Sequence, residues 1–222
     1  MKSRLTIAFL SCLLGPPAMA EISVPEGCTA IATVHKNSCA VSTILTCDNT
    51  FLILGYTSDR PEVAHTYDRN WTLTGFLYQA NSETRFDVDS SRGQGMTLQD
   101  LLADGQDTES RTILFSTRVV KNREFVMDGQ YQMTDQEVEL GGDTYRIGKF
   151  QRTLQREGIA SSRLDFEFDF YVSEAENIFI EGAFTRSAED RQPERVDQTP
   201  RDIRFEGDPG FLATSSDFGC VN

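Results

Sequence analysis

The residues that could do chemistry are few and scattered. There are two histidines, His35 and His65, and a nucleophilic site at neutral pH usually takes its base from this residue type. His35 stands beside a turn at Lys36-Asn37-Ser38, where a solvated side chain is the simpler reading. His65, in Pro61-Glu62-Val63-Ala64-His65, has no serine or cysteine elbow near it, and neither Gly-x-Ser-x-Gly nor Ser-x-x-Lys occurs. A hydrolase using His65 would have to be assembled from distant segments. Asp165, Glu167 and Asp169 alternate along one extended stretch, so neighbours stand about 7 Å apart. That spacing suits a glycosidase acid/base pair or a bound calcium ion, but it is also what a water-facing strand surface looks like, and that is the reading adopted. Asp87-Val88-Asp89-Ser90-Ser91-Arg92-Gly93 opens like a calcium loop, yet Arg92 stands where the turn glycine belongs and Leu98 where the terminal glutamate is required, which excludes an EF-hand. Gly141-Gly142 and Gly93-Gln94-Gly95 lack the lysine or the strand-to-helix setting of a phosphate loop. No metal or cofactor is expected.

The aromatic residues are a different kind of candidate. Phe166, Phe168, Phe170, Phe179 and Phe184, together with Trp71, Phe76, Tyr78 and Phe150, either fill a core or wall a cavity for an apolar ligand. Phe166, Phe168, Phe170 and Trp71 are the ligand contacts expected under the second reading.

The elements that position these residues are strands. Leu164, Phe166, Phe168, Phe170 and Val172 fall on one side of an extended chain and Asp165, Glu167 and Asp169 on the other, the period of a half-buried strand. After the polar turn 173–177, Ile178, Ile180 and Phe184 supply a partner at alternating positions. Further strands are expected at 29–35, 40–47, 51–57, 71–78, 85–89, 112–120, 124–133, 136–140, 144–155 and 203–206, separated by turn residues such as Asp48-Asn49, Lys121-Asn122 and Thr134-Asp135. The segment Ser58 to Pro61 reads as a break after the strand 51–57, and 188–202, with Pro193, Pro200 and many charges, reads as a mobile surface loop. One short helix follows Thr97: Asp100 completes a capping box, Leu98, Leu101 and Leu102 form its stripe, and Gly105 stands at its C-terminal cap. Eleven or twelve strands joined by short connections predict a mainly β fold: an antiparallel meander curling into a curved sheet, half-barrel or barrel, with one short helix.

Residues 1–20 carry the pattern of a secretory signal: Lys2 and Arg4, an apolar run from Leu5 to Gly15, and Ala18-Met19-Ala20 before cleavage. Cys12 is poorly placed for lipid attachment, because cleavage there would leave little apolar core to the signal. The run is too short to span a bilayer. From Glu21 the chain reads as a single β-rich exported domain, periplasmic or secreted. The whole sequence has 21 basic and 34 acidic residues, a net charge of -13; without Lys2 and Arg4 the balance is 19 to 34, or -15. A surface of that sign repels nucleic acid and anionic lipid headgroups.

Four cysteines remain after cleavage, Cys28, Cys39, Cys47 and Cys220, and an even number in an exported chain implies two disulfides with three possible connectivities. None stands at zinc-ligand spacing. If Cys28 and Cys47 face each other across the first hairpin, the turn falls on Asn37-Ser38, and Ala30, Ala32, Val34, Val41 and Leu45 share a face with Cys39. On a straight strand Cys39 and Cys47 would lie about 26 Å apart, too far to bridge. The preferred pairing is therefore Cys28 with Cys47 and Cys39 with Cys220. A bridge closing so long a loop is worth up to about 5 kcal/mol in the chain-entropy model.

A meander with large inward aromatics and a helix lying across the sheet resembles, at the level of fold, the half-barrels of LolA-like envelope lipid carriers. As a whole the chain is similar to the uncharacterised exported proteins of Gram-negative bacteria, which implies a compartment rather than an activity. The expectation is a non-enzymatic periplasmic protein that binds a lipid-like molecule or an envelope partner. The alternatives are a hydrolase with a carboxylate- or His65-based site, and a purely structural or interaction module.

Overall fold

The computed structural model describes residues 21–189 and 191–220, so the leader expected at 1–20, Cys12 included, lies outside the described residues. Thirteen strands form one antiparallel sheet: β1 (Cys28–Lys36), β2 (Ala40–Cys47), β3 (Thr50–Thr57), β4 (Arg60–Asp68), β5 (Leu73–Tyr78), β6 (Asn81–Gln94), β7 (Gln106–Ser116), β8 (Arg123–Leu140), β9 (Asp143–Gln155), β10 (Leu164–Ser173), β11 (Ile178–Ala188), β12 (Arg191–Val196) and β13 (Pro200–Arg204). Each pairs with its successor from β1 to β12, and β13 returns to pair with β1. Hairpins dictate that order, because a short turn leaves the chain nowhere to go but back along the strand it has just left.

The edges are β12 and β13, and no ladder joins them, so the sheet is curved and not closed. Strand twist and bulges roll it until its two ends meet through isolated hydrogen bonds, one from a side chain and one from the backbone. Lys36 Nζ donates to the carbonyl of Glu181 at 2.7 Å, and the Asn37 amide donates to the Thr199 carbonyl at 3.0 Å. The concave face holds the main core, with Trp71, Ile113, Tyr145, Phe150, Phe170 and Phe179 fully buried. A smaller cluster, Ile22, Leu45, Leu54 and Ala64, covers the outer face of β2 to β4 beneath Leu212 of the C-terminal tail.

The helix, α1 (Leu98–Asp104), forms where expected: the Thr97 hydroxyl accepts from the Asp100 amide, Gly105 ends it at φ 71°, and Leu98 and Leu101 are buried. Both cysteine pairs stand at disulfide distance, with Cα separations of 4.2 Å for Cys28–Cys47 and 4.7 Å for Cys39–Cys220. The shorter value fits a non-hydrogen-bonded pair, and the Cys28 amide accordingly donates to Pro25 instead.

Several expected boundaries and faces differ. Ile31 is an extra residue in β1, so Ala30 opposes Leu45 while Ala32 opposes Ile44. This bulge splits the expected face, sending Ala30 and Leu45 outward and Ala32, Val34 and Ile44 inward. Cys39 lies in the turn, with φ 56°, rather than on a strand face. The break expected at 58–61 falls on the Ser58-Asp59 turn, both residues at positive φ, but it is shorter than expected: β4 begins at Arg60 and runs through Pro61, next to a register shift between Leu54 and Tyr56. Thr134-Asp135 is a bulge inside the single strand β8, since its register with β9 merely shifts between Met133 and Glu137. Within the expected loop 188–202, Arg191–Val196 pairs with β11 as an exposed edge strand and Pro200 opens β13. Its charges and Pro193 suit an edge exposed to water.

The alternation in β10 holds: Phe168 opposes Phe150 and Phe170 opposes Gly148 on the inner face, while Glu167 is exposed on the other. Gly148 is required here, because a Cβ at that position would stand 2.0 Å from the Phe170 ring. Gly148→Ala is therefore expected to lower stability by about 1–3 kcal/mol, whereas Glu167→Ala leaves the urea midpoint unchanged. Equal midpoints for the two variants would mean that Phe170 does not pack over Gly148.

Candidate functional site

The inner face is not wholly apolar. Following the register across the sheet, Glu109 of β7 opposes Gly129 of β8, which opposes Arg152 of β9, which opposes Phe166 of β10. Gly129 leaves the space the Glu109 side chain occupies, since a Cβ there would come within 2.7 Å of Glu109 Cγ. Glu109 Oε1 accepts from Tyr131 at 2.8 Å and from Arg152 Nε at 3.1 Å, and Oε2 accepts from Arg111 Nη2 at 2.9 Å. Arg152 Nη2 also donates to the Tyr131 hydroxyl, and its guanidinium lies 5.0 Å above the Phe150 ring. Burial by itself would push the Glu109 carboxyl up, but Arg152 and Arg111, with the Tyr131 hydrogen bond, outweigh it and hold it below the usual range.

A second polar group faces this one from across the interior. Phe168 opposes Phe184 and Phe170 opposes Glu181, so β11 carries an extra residue at Gly182-Ala183. That bulge overturns the expected pattern of Ile178, Ile180 and Phe184 on one face: Phe179 and Glu181 share the inner face with Phe170, and Phe184 rejoins them beyond the bulge. Gly182 fits because a Cβ would stand 2.6 Å from the Tyr171 ring. Glu181 Oε1 accepts from the Tyr67 hydroxyl at 2.9 Å, and Oε2 lies 3.4 Å from His65 Nδ1. His65 is pushed below its ordinary value by burial; Glu181 draws it back up, while Arg152 and Lys36 oppose protonation. Burial likewise lowers Lys36 to about 8, against the pull of Glu181.

Between the two groups lies a cavity of about 330 Å³. Lys36, His65, Arg152 and Glu181 are among its polar groups, and Phe76, Phe86, Leu154, Phe166, Phe168 and Phe184 belong to its apolar wall. The wall is braced by stacking: Phe76 on Phe86 at 4.4 Å and Phe168 on Phe150 at 4.3 Å between centroids. Of the four aromatic residues expected to meet a ligand, Phe166 and Phe168 line the cavity. Phe170 and Trp71 are fully buried in the packed core, Trp71 stacked on Phe51 and donating to the Asn177 carbonyl.

The other candidates lie elsewhere. Asp165 pairs with Arg163 and accepts from Thr153 on the outer face, and Glu167 meets only Gln151. His35, expected to be solvated, is 2% exposed because the C-terminal tail covers it and the Gly210 carbonyl lies 3.0 Å from its Nε2. Asp87 is paired with Arg85 and Asp89 with Ser91. Among the described residues no group of three or more His, Cys, Asp or Glu could hold a metal ion, and no serine, threonine or cysteine hydrogen-bonds to His65. Comparisons with protein-family models, curated proteins and solved structures found no match.

Glu109, Arg111, Tyr131, Arg152, Lys36, Tyr67 and Glu181 were not singled out from sequence. One signal was available for four of them. Arg152 stands in phase with Phe150 and Leu154, Glu109 and Arg111 in phase with Ile113, and Lys36 in phase with Ala32 and Val34, so charges occupy inward positions of apolar strands.

Glu109→Gln leaves two buried guanidiniums without their carboxylate and is expected to cost about 3–5 kcal/mol in urea unfolding, while Asp165→Asn, on the wet face, leaves the midpoint where it is. The pH dependence follows from His65: its folded-state value lies below the ordinary 6.5, so the unfolded chain takes up the proton first and stability falls as pH drops through about 6.5. His65→Asn should remove that part of the slope in thermal melts between neutral and mildly acidic pH.

Proposed function

We propose that the chain is a non-enzymatic binding protein of the cell envelope or exterior that holds an apolar, lipid-like molecule inside its curved sheet. The observation that carries this reading is the cavity: about 330 Å³, walled by aromatic and aliphatic side chains with a few polar groups converging on it. Export is supported by the leader-like sequence of residues 1–20 and by the two cysteine pairs at disulfide distance. Among the described residues no helix is long and apolar enough to cross a membrane. The envelope carrier resemblance, a meander wrapped around inward aromatics, fits the same reading.

The alternatives have less behind them. A hydrolase has a base in the His65–Glu181 pair, but among the described residues no nucleophile is bonded to it, and the three carboxylates of β10 face away from the cavity. A docking module needs an exposed apolar patch, whereas the large apolar side chains left exposed among the described residues are Tyr78 and Val119, and Tyr78 lies on the cavity rim.

The test is titration with a neutral apolar dye, N-phenyl-1-naphthylamine, whose fluorescence rises on leaving water. Wild type should bind it with a micromolar Kd, and Leu164→Trp, which fills the cavity, should weaken binding about tenfold with little change in melting temperature. A folded wild-type protein that leaves the dye dark and binds no apolar chain of comparable size would overturn the reading.

A further inference from the structure

The cavity has an electrical bias that its apolar walls do not explain. The buried charges on the inner face are Lys36, Arg111 and Arg152 against Glu109 and Glu181. Glu109 is shared by two guanidiniums, and Lys36 stands beside Glu181, so the set carries one positive charge in excess with His65 neutral. At the rim Arg186 is matched by Glu194, and Glu62 stands in water. Both oxygens of Glu181 already face partners, Tyr67 and His65. Arg152, by contrast, donates from Nε and Nη2 only; its Nη1 has no hydrogen-bond partner among the described residues, and the side chain borders the cavity.

A surplus cation held away from water is costly unless something of opposite sign compensates it. Nothing in the described chain does so. The compensation is available from an occupant, and the donor free to take it is a guanidinium edge, which hydrogen-bonds a planar oxyanion well. A neutral occupant would leave the excess standing. A cationic one would add to it, and would find Glu181, the buried carboxylate that lines the cavity among the described residues, already engaged. The acidic exterior makes the point sharper, since a net charge of -13 gives an anion no long-range attraction to the molecule. Any preference for an anion must then come from inside the cavity.

We propose that the occupant is an amphipathic anion: an apolar body seated against Phe76, Phe86, Phe166 and Phe168, carrying one carboxylate-type group held by Arg152 Nη1 and supported by Lys36. This rests on the binding reading above and names the class of ligand that the site selects. Arg152 sets the sign of the headgroup, and the aromatic wall sets the bulk of the body.

The experiment is calorimetric titration of the full chain at neutral pH with three compounds of equal chain length: decanoate, decanol and decylamine. Decanoate should bind at least tenfold more tightly than decanol, with decylamine weakest. In Arg152→Met, with folding checked by circular dichroism, the decanoate-to-decanol preference should fall about tenfold. If that variant does not fold, Lys36→Met, which leaves the contacts of Glu109 intact, should reduce the same preference severalfold. Equal affinities for the three compounds, tightest binding of the amine, or an unchanged preference in a folded variant would each overturn the proposal. Binding of the naphthylamine dye without binding of decanoate would overturn the headgroup assignment alone. Failure of every probe, the dye included, would overturn the binding reading along with it.

Discussion

A carboxylate buried inside a β-sheet has no water to turn to, and the interior of this protein is arranged around satisfying Glu109. Its two oxygens take three side-chain donors, from Arg111, Tyr131 and Arg152, which come from three adjacent strands. Each of those donors must itself be accommodated: Arg111 also donates to the Leu73 carbonyl, and Arg152 rests on the Phe150 ring. Removing the carboxylate would leave two buried cations, so the group acts as a single unit. It fixes the register of β7, β8 and β9, because a slip of one residue would send every charge to the wrong side.

Room for such a group comes from what is missing around it. Gly129 vacates the position between Glu109 and Arg152, and Gly148 receives the Phe170 ring. The bulge at Gly182-Ala183 does the complementary work on β11, changing the phase of the strand so that Glu181 turns inward together with Phe179 and Phe184. These adjustments bring β11, near one edge of the sheet, into hydrogen-bonding contact with β1 and β4, which lie on the far side of the ladder order. The sheet is held curled by these polar contacts across its interior, without a ladder joining its edges.

The same curl leaves a space that is neither core nor solvent. Phe150, Phe170 and Trp71 close-pack on one side of it, while Phe166, Phe168, Phe179, Phe184, Phe76 and Phe86 stand along its wall. A set of aromatic residues that looked uniform along the chain thus divides into packing and lining. The division follows the polar groups: where Arg152, His65 and Glu181 project, apolar side chains cannot fill the volume completely.

Much of this was legible in the sequence for a physical reason: half-buried strands need alternation, turns need particular residues, and a short helix needs caps. The strand 164–172, the helix after Thr97, the Cys28–Cys47 pairing and the antiparallel meander follow from contacts between near neighbours in the chain, and Cys39–Cys220, 181 residues apart, is the pair then left over. Where local chemistry misled about which face a strand buries, one inserted residue was the cause. Ile31 split the face expected for the first hairpin, and the bulge at 182–183 reversed the phase of Ile178 and Ile180. Proline and charge made 188–202 look like a loop although an edge strand tolerates both. Whether the aromatic residues filled a core or walled a cavity stayed open, because Lys36, His65, Arg152 and Glu181 are separated by long stretches of chain and meet only when the sheet rolls. Periodicity determines which side of a strand a residue takes; only the tertiary curl decides which inward residues face one another, and therefore whether they pack or enclose.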